Sequence, residues 1–255
     1  MKVICKNISM GYTTQNGPIE ALKDVNFEVG EQEFICVLGP SGCGKTTLLK
    51  IIAGLLKPTD GQVIYKGEKS TNPLNSVVFQ EHGIFPWLNV IDNVSFGLEM
   101  RGIKKEERYE ISRKFIRKFG LARFEKNYPH ELSVGMKQRV GLARAFVNGP
   151  EILLMDEPFA ALDAQTKLIL QEELLRIWKE HKKSVIYITH DIEEAILLGD
   201  RVIVMTQRPG RVKKDVPINL GRPRSIETEN SEEFTSLKID IWNLIKEEVY
   251  ISIGA

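Results

Sequence analysis

The 255-residue chain has no run of about 18 consecutive apolar residues, so no segment of it is expected to cross a bilayer as a helix. Its three cysteines, Cys5, Cys36 and Cys43, have neither metal-ligand spacing nor the density of a disulfide framework. That excludes a stapled secreted scaffold and suits a reducing, cytosolic compartment. Thirty-five basic residues against 34 acidic ones leave a net charge of +1, which gives no global attraction to nucleic acid or to an anionic membrane. The opening residues 1–6 hold too little apolar content for a signal peptide, and no repeat or low-complexity tract occurs. What remains is a chain long enough for one large α/β domain, with or without a small appendage, around a sizeable core.

Against these absences stands one dense stretch. Residues 39–47 read Gly39, Pro40, Ser41, Gly42, Cys43, Gly44, Lys45, Thr46 and Thr47, which is the pattern G-x-x-x-x-G-K-[ST]. The apolar run 33–38 precedes it as a predicted buried strand, and Leu48, Leu49, Ile51, Ile52, Leu55 and Leu56 follow at helical spacing. That order gives the pattern its physical meaning. Glycines let successive backbone N–H groups converge on a polyphosphate, and the helix N-terminus behind them adds a positive partial charge. The loop then holds a nucleoside triphosphate, with Lys45 reaching its β- and γ-phosphates and Thr46 ligating Mg²⁺. Cys43 is either a thiol activated by the loop's N–H groups or a small residue that the loop tolerates.

Along the chain, antiparallel strands are predicted at 3–9 and 25–29, around a polar turn with Asn16, Gly17 and Pro18. A turn at 58–61 leads to a strand at 62–65, and a short strand at 77–79 ends at Gln80. The texture is helical from about 90 to 124, so 85–135 reads as a helical insertion. Helices at 136–147, 166–179 and 191–198 then alternate with apolar strands at 152–155, 185–188 and 202–205. Such alternation predicts an α/β fold with a largely parallel sheet covered on both faces. The stretch 208–224 is basic and broken by prolines, and 232–250 is an amphipathic helix with Phe234, Leu237, Ile241, Leu244, Ile245 and Val249 on one side. His82, His130 and His181 read as ordinary structural or exposed histidines.

The strand at 152–155 runs into Asp156, Glu157 and Pro158. Open α/β sheets bind ligands at the carboxyl ends of their strands. Asp156 is therefore placed to hold Mg²⁺ through its water shell, and Glu157 to polarise the water that attacks the γ-phosphate. Phosphoryl transfer asks a protein mainly for positioning and charge stabilisation, which this pair supplies.

Leu132, Ser133, Val134, Gly135 and Met136 resemble the Leu-Ser-Gly-Gly-Gln signature of the ATP-binding cassette family. The resemblance covers about residues 1–215, with Tyr12, the 39–47 loop, Gln80, Ser133 with Gly135, Asp156 with Glu157, Ala161-Leu162-Asp163 and Thr189-His190-Asp191 in family order. It implies a P-loop NTPase fold with a mixed sheet core, an antiparallel β subdomain and a helical subdomain over residues 1–220. A helical appendage then fills 221–255. It implies an ATPase with ATP and Mg²⁺ as cofactors. Tyr12 becomes the ring that stacks on adenine, Gln80 an amide oxygen on Mg²⁺ or water, and His190 a contact to the γ-phosphate and the attacking water. Lys45, Glu157 and His190 form the implied catalytic set, and Thr46, Gln80 and Asp156 the implied metal set. Ser133 and Gly135 are implied to act in trans on ATP held by a second copy, with Asp163 at the seam. Ser133 equally fits a plain N-cap of the following helix. Val134 and Met136 depart from the signature. A β-branched residue resists positive φ, so residue 134 is predicted to have negative φ and to leave the Gly135 N–H free.

An ATPase set on a chain without a membrane segment resembles the separate nucleotide-binding subunit of an importer, peripheral on the cytoplasmic face of the membrane. The implied partners are a second copy, transmembrane permease subunits and, indirectly, a solute-binding protein, with no nucleic acid. The Gln80 loop with Ile84, Phe85, Pro86 and Trp87 would receive a short permease helix, unless Phe85 and Trp87 pack internally. Residues 158–166, 171–178 and 208–211 resemble the nitrate, sulfonate and taurine branch. Two rival readings stay open. One is a soluble cassette ATPase acting on nucleic acid or ribosomes, favoured by the basic run 208–224; the other is a nucleotide-binding regulator without turnover.

Overall fold

A computed structural model describes residues 1–15, 17–67, 71–80 and 83–252; the expectations for Asn16 and His82 lie outside the described residues. In chain order the elements are β1 (Lys2–Thr14), β2 (Gly17–Val29), β3 (Phe34–Leu38), α1 (Lys45–Ile52), β4 (Asp60–Lys66), β5 (Asn75–Val78), α2 (Val90–Met100) and α3 (Lys105–Lys118). They continue with α4 (Val134–Val147), β6 (Ile152–Asp156), α5 (Ala164–His181), β7 (Ser184–Thr189), α6 (Ile192–Leu198), β8 (Arg201–Met205), β9 (Val212–Pro217) and α7 (Glu232–Ser252). The chain divides into two compact units, residues 1–69 with 182–255, and residues 70–181.

In the first unit, β2, β1 and β4 form an antiparallel sheet in that order. β1 and β2 each run 13 residues, longer than their sequence alternation predicts. The pairing slips between Cys5 and Ile8, between Ile8 and Met10, and again at Gly11. Such bulges break the strict two-residue period while the strands continue.

The other sheet of this unit sets β7, β3 and β8 side by side in parallel, with β9 antiparallel on β8. Every residue of β3 and β7 is buried, as continuous apolar strands covered on both faces should be. α1 packs on β7, and α6 on β3. α7 packs on α6 and β8 and buries Phe234, Ile241 and Ile245, each worth about 2 kcal/mol.

The basic run 208–224 holds a strand that its pattern does not announce. β9 is an edge strand, and two of its charged side chains have partners: Lys213 Nζ lies 2.6 Å from Glu248 of α7, and Asp215 pairs with Arg201. Beyond it, Arg222 binds Asp200 at 2.7 Å, and Arg224 is buried. The Arg224 guanidinium donates to the carbonyls of Ile196, Leu197, Gly199, Ile218 and Leu220, which closes the C-terminus of α6. Burial, helped by the Arg222 charge, pushes the Arg224 pKa down to about 10.

In the second unit β5 and β6 pair in parallel from Asn75 opposite Ile152 to Val78 opposite Met155. α2 packs on α3 and α4, and α4 on β5. Val94, Leu98, Ile116, Phe119, Leu142 and Phe146 fill the space between them. The fully buried Asn93 ties down the loop before α2: its Oδ1 accepts the Phe85 N–H at 2.7 Å, and its Nδ2 donates to the carbonyls of Phe85 and Leu88.

Candidate functional site

The phosphate loop leaves β3 at Leu38 and enters α1 at Lys45. Gly42 and Gly44 have φ of +76° and +101°, in the left-handed region that favours glycine. A Cβ on Gly44 would also stand 2.7 Å from Leu22 Cδ2 and 2.9 Å from the Ala21 carbonyl oxygen, so β2 backs directly onto the loop. Lys45 is 5% exposed, with Nζ donating to the Gly39 and Pro40 carbonyls at 2.8 and 3.0 Å. Those bonds hold its ammonium inside the curve of the loop. Cys43 is fully buried, which favours the tolerated small residue over the reactive thiol. The Tyr12 hydroxyl lies 3.3 Å from Thr47 Oγ1, and the Tyr12 ring borders a pocket of about 400 Å³ with Met10, Pro18, Ile19 and Leu22.

His190 belongs to the same unit. Leu38 is opposite Thr189 in the parallel register of β3 and β7, so His190 emerges beside Gly39 at the carboxyl edge of the sheet. It is exposed, and Asp191 after it caps α6 by accepting the Glu194 N–H. Tyr12, the loop and His190 are thus carried by one body.

The remaining candidates lie in the second unit. Asp156 ends β6 and is 4% exposed, and half-buried Glu157 follows it with φ of +44°. A non-glycine residue in that region is strained, and strain of this kind clusters at functional sites. Exposed Gln80 lies two residues past Val78, whose register partner Met155 directly precedes Asp156.

Ser133 is the N-cap of α4, its Oγ accepting the Met136 N–H at 3.3 Å. The capping role is therefore real, and a hydroxyl that accepts one bond still has a hydrogen to donate. Val134 is the first residue of α4 and is not among the positive-φ residues, as its branching predicts. The first-turn amide of Gly135 has no acceptor within its own helix. Gly135 also touches the start of α5, where a Cβ would meet Thr166 Cγ2 at 3.2 Å. Asp163 caps that helix through the Thr166 N–H at 3.0 Å, a bond that holds its carboxyl below the usual range.

The ABC transporter family profile matches residues 22–160, more than half of the chain. The chain belongs to the ABC transporter family. An uncharacterised ABC transporter ATP-binding protein of Methanocaldococcus jannaschii is 51% identical over 255 residues, covering 99% of this chain and 94% of that protein. An aliphatic sulfonates import ATP-binding protein of Bacillus cereus is 42% identical over 240 residues, covering 93% of each. A dimeric structure of a bacterial ABC transporter cassette matches at a TM-score of 0.76 and 33% identity, covering 86% of this chain and all of that one. The same cassette in a post-hydrolysis state bound to ADP and phosphate matches at 0.75. The family, the cassette fold and the ATPase activity expected from the sequence are those of this ABC chain.

Three features of the ABC chain escaped the sequence reading. Gly210 presses its Cα against the phosphate loop, where an added Cβ would sit well inside contact distance of the Cys43 carbonyl oxygen. Its backbone also bonds both ways with β2, to the Ala21 carbonyl and from the Lys23 N–H. The left-handed Glu157 carries no residue-type signal at all. The third is a buried carboxylate, Glu194, beneath His190. Trp87, left open between packing and display, is 70% exposed, whereas Phe85 packs on Phe96 at 4.6 Å and under Arg144.

Proposed function

We propose that this ABC ATPase is the motor subunit of a membrane importer for a small solute of the nitrate, sulfonate or taurine type, working as a head-to-tail pair of copies. The observation that carries the reading is the similarity to sulfonate import ATP-binding proteins along 93% of both chains. In this reading Tyr12 stacks on adenine, residues 39–47 with Lys45 hold the phosphates, and Glu157 with His190 orients the attacking water. Ser133 and Gly135 donate to ATP bound by the other copy, where Asp163 lies at the seam. The permease side is served by Trp87, displayed on the loop that Asn93 holds, beside a groove of about 420 Å³ lined by Phe96, Met100, Arg101, Arg144 and Asn148.

Mg²⁺ takes oxygen donors and keeps waters, with one or two carboxylates and substrate phosphates beside them. Thr46, Asp156 and Gln80 offer a hydroxyl, a carboxylate and an amide oxygen, a donor set that fits. No three His, Cys, Asp or Glu side chains among the described residues form a protein cage, so phosphate and water oxygens would complete the shell. An ion held by these residues would neutralise charge on the phosphates.

The nucleic-acid alternative leaned on the basic run 208–224. Lys213, Arg222 and Arg224 of that run are engaged within the fold, which weakens it. The test is reconstitution with its permease subunits, in vesicles given labelled nitrate, taurine or an alkanesulfonate. ATP-dependent uptake of one of them is expected, and Glu157→Gln should lower turnover about 10²–10⁴-fold while ATP still binds. Absence of uptake of all three, with ATP hydrolysis intact, overturns the solute class.

A further inference from the structure

His190 is exposed, yet the backbone on either side of it is held from beneath. Thr189 before it is 1% exposed at the end of β7, and Asp191 after it caps α6. The bonds that hold them converge on Glu194, which is 5% exposed. The Tyr187 hydroxyl donates to Glu194 Oε1 at 2.7 Å, and the Thr189 hydroxyl donates to Oε2. The single hydroxyl hydrogen of Thr189 is thereby committed inward, and its Oγ1 accepts the Asp191 N–H at 3.0 Å. Asp191 Oδ1 in turn accepts the Glu194 N–H at 3.2 Å. The circuit therefore closes on itself across residue 190.

Tyr187 and Thr189 are two residues apart on a strand and so share a face, and Glu194 reaches both from the first turn of α6. Burial, and then the Glu194 charge, push the Tyr187 phenol far above its ordinary pKa, so it stays a donor. A carboxylate is costly to bury unless it is hydrogen-bonded, and packing alone would be served better by Leu or Met. The bonds of Glu194 serve to set the one turn that carries His190.

We propose that Glu194 is a positioning residue for ATP hydrolysis: acting through Thr189 Oγ1 it fixes the turn 189–191 and so aims His190. Glu194 itself does not touch the nucleotide. The inference rests on the reading of His190 as a contact to the γ-phosphate and the attacking water.

The test is steady-state ATP hydrolysis and nucleotide binding by the full chain. Glu194→Gln leaves one hydroxyl without an acceptor whichever way the amide turns. Thr189→Val removes the acceptor of the Asp191 N–H without changing shape. Each is expected to lower kcat about 10- to 100-fold, since small misplacements of a reacting group cost that much. KM for ATP and nucleotide affinity should stay within about twofold, the pattern of an interaction made only in the transition state. Thr189→Ser keeps the oxygen and is expected to keep the rate. Added to His190→Ala, Glu194→Gln should cost no further activity, because the residue it aims is gone.

A purely structural role predicts the reverse: affinity and thermal stability fall together with kcat, and the losses add on the His190→Ala background. That result overturns the proposal. If His190→Ala leaves kcat unchanged, the reading of His190 falls and this inference falls with it. If His190→Ala lowers kcat but Thr189→Val does not, the positioning role alone is wrong.

Discussion

Leu38 and Thr189 sit opposite each other at the carboxyl ends of two neighbouring parallel strands. The phosphate loop and the His190 turn therefore start from points whose separation the sheet sets, about 4.8 Å between strands. Neither depends on loop flexibility for its position relative to the other. Interference with the loop should thus come from residues packed behind it.

Gly210 is such a residue, far from the loop in sequence but against the Cys43 carbonyl. Gly210→Ala is expected to push the loop forward and weaken ATP binding about tenfold or more, because the obstruction is backbone and cannot rotate away. Titration of a fluorescent ATP analogue checks it. Unchanged affinity would mean that the loop has slack that its packing does not show.

Ser133 carries a cap and a proposed trans contact on one oxygen. Ser133→Asp separates them, since Asp caps a helix as well as Ser does but sets a negative charge against the incoming phosphate. Thermal stability should stay within about 2 °C of the parent, while ATPase activity falls about 10²-fold or more. Equal activity would remove Ser133 from the site.

Arg224 closes the C-terminus of α6 from inside the fold. Arg224→Ala should leave several buried carbonyls unpaired and cost about 3 kcal/mol. For a chain of this size that lowers Tm by about 6–12 °C, which differential scanning calorimetry would register. Well below the transition, nucleotide affinity should be little altered.

Trp87 is exposed on a loop that Asn93 holds rigid. Trp87→Ala should leave the ATPase of the isolated subunit unchanged and weaken its capture by permease-containing membranes about tenfold or more, the cost of losing an aromatic anchor. Sedimentation of the subunit with those membranes distinguishes the outcomes; equal capture would place the contact elsewhere.

The legible parts of this chain are those where composition and geometry coincide. β3, β6, β7 and β8 are buried on both faces, so their apolar runs announce them. The phosphate loop is legible because only certain residues can build it. β9 is hidden since an edge strand accommodates charged side chains, and Lys213, Lys214 and Asp215 read as a polar connection. The two readings of Ser133 cannot be separated in the sequence, because a helix cap and the proposed phosphate donor require the same hydroxyl at the same helix start. Glu194 gave no signal either, since a glutamate in the first turn of a helix is the commonest of surface residues until its burial is known.

The left-handed backbone of Glu157 sets two demands on one position against each other. Glycine there would relieve a conformation that costs a side-chain-bearing residue about 1 kcal/mol. It would also delete the carboxylate. Under the role proposed for Glu157, an easier backbone at this position comes only with loss of the group that orients water, so heat stability and turnover cannot be improved together there.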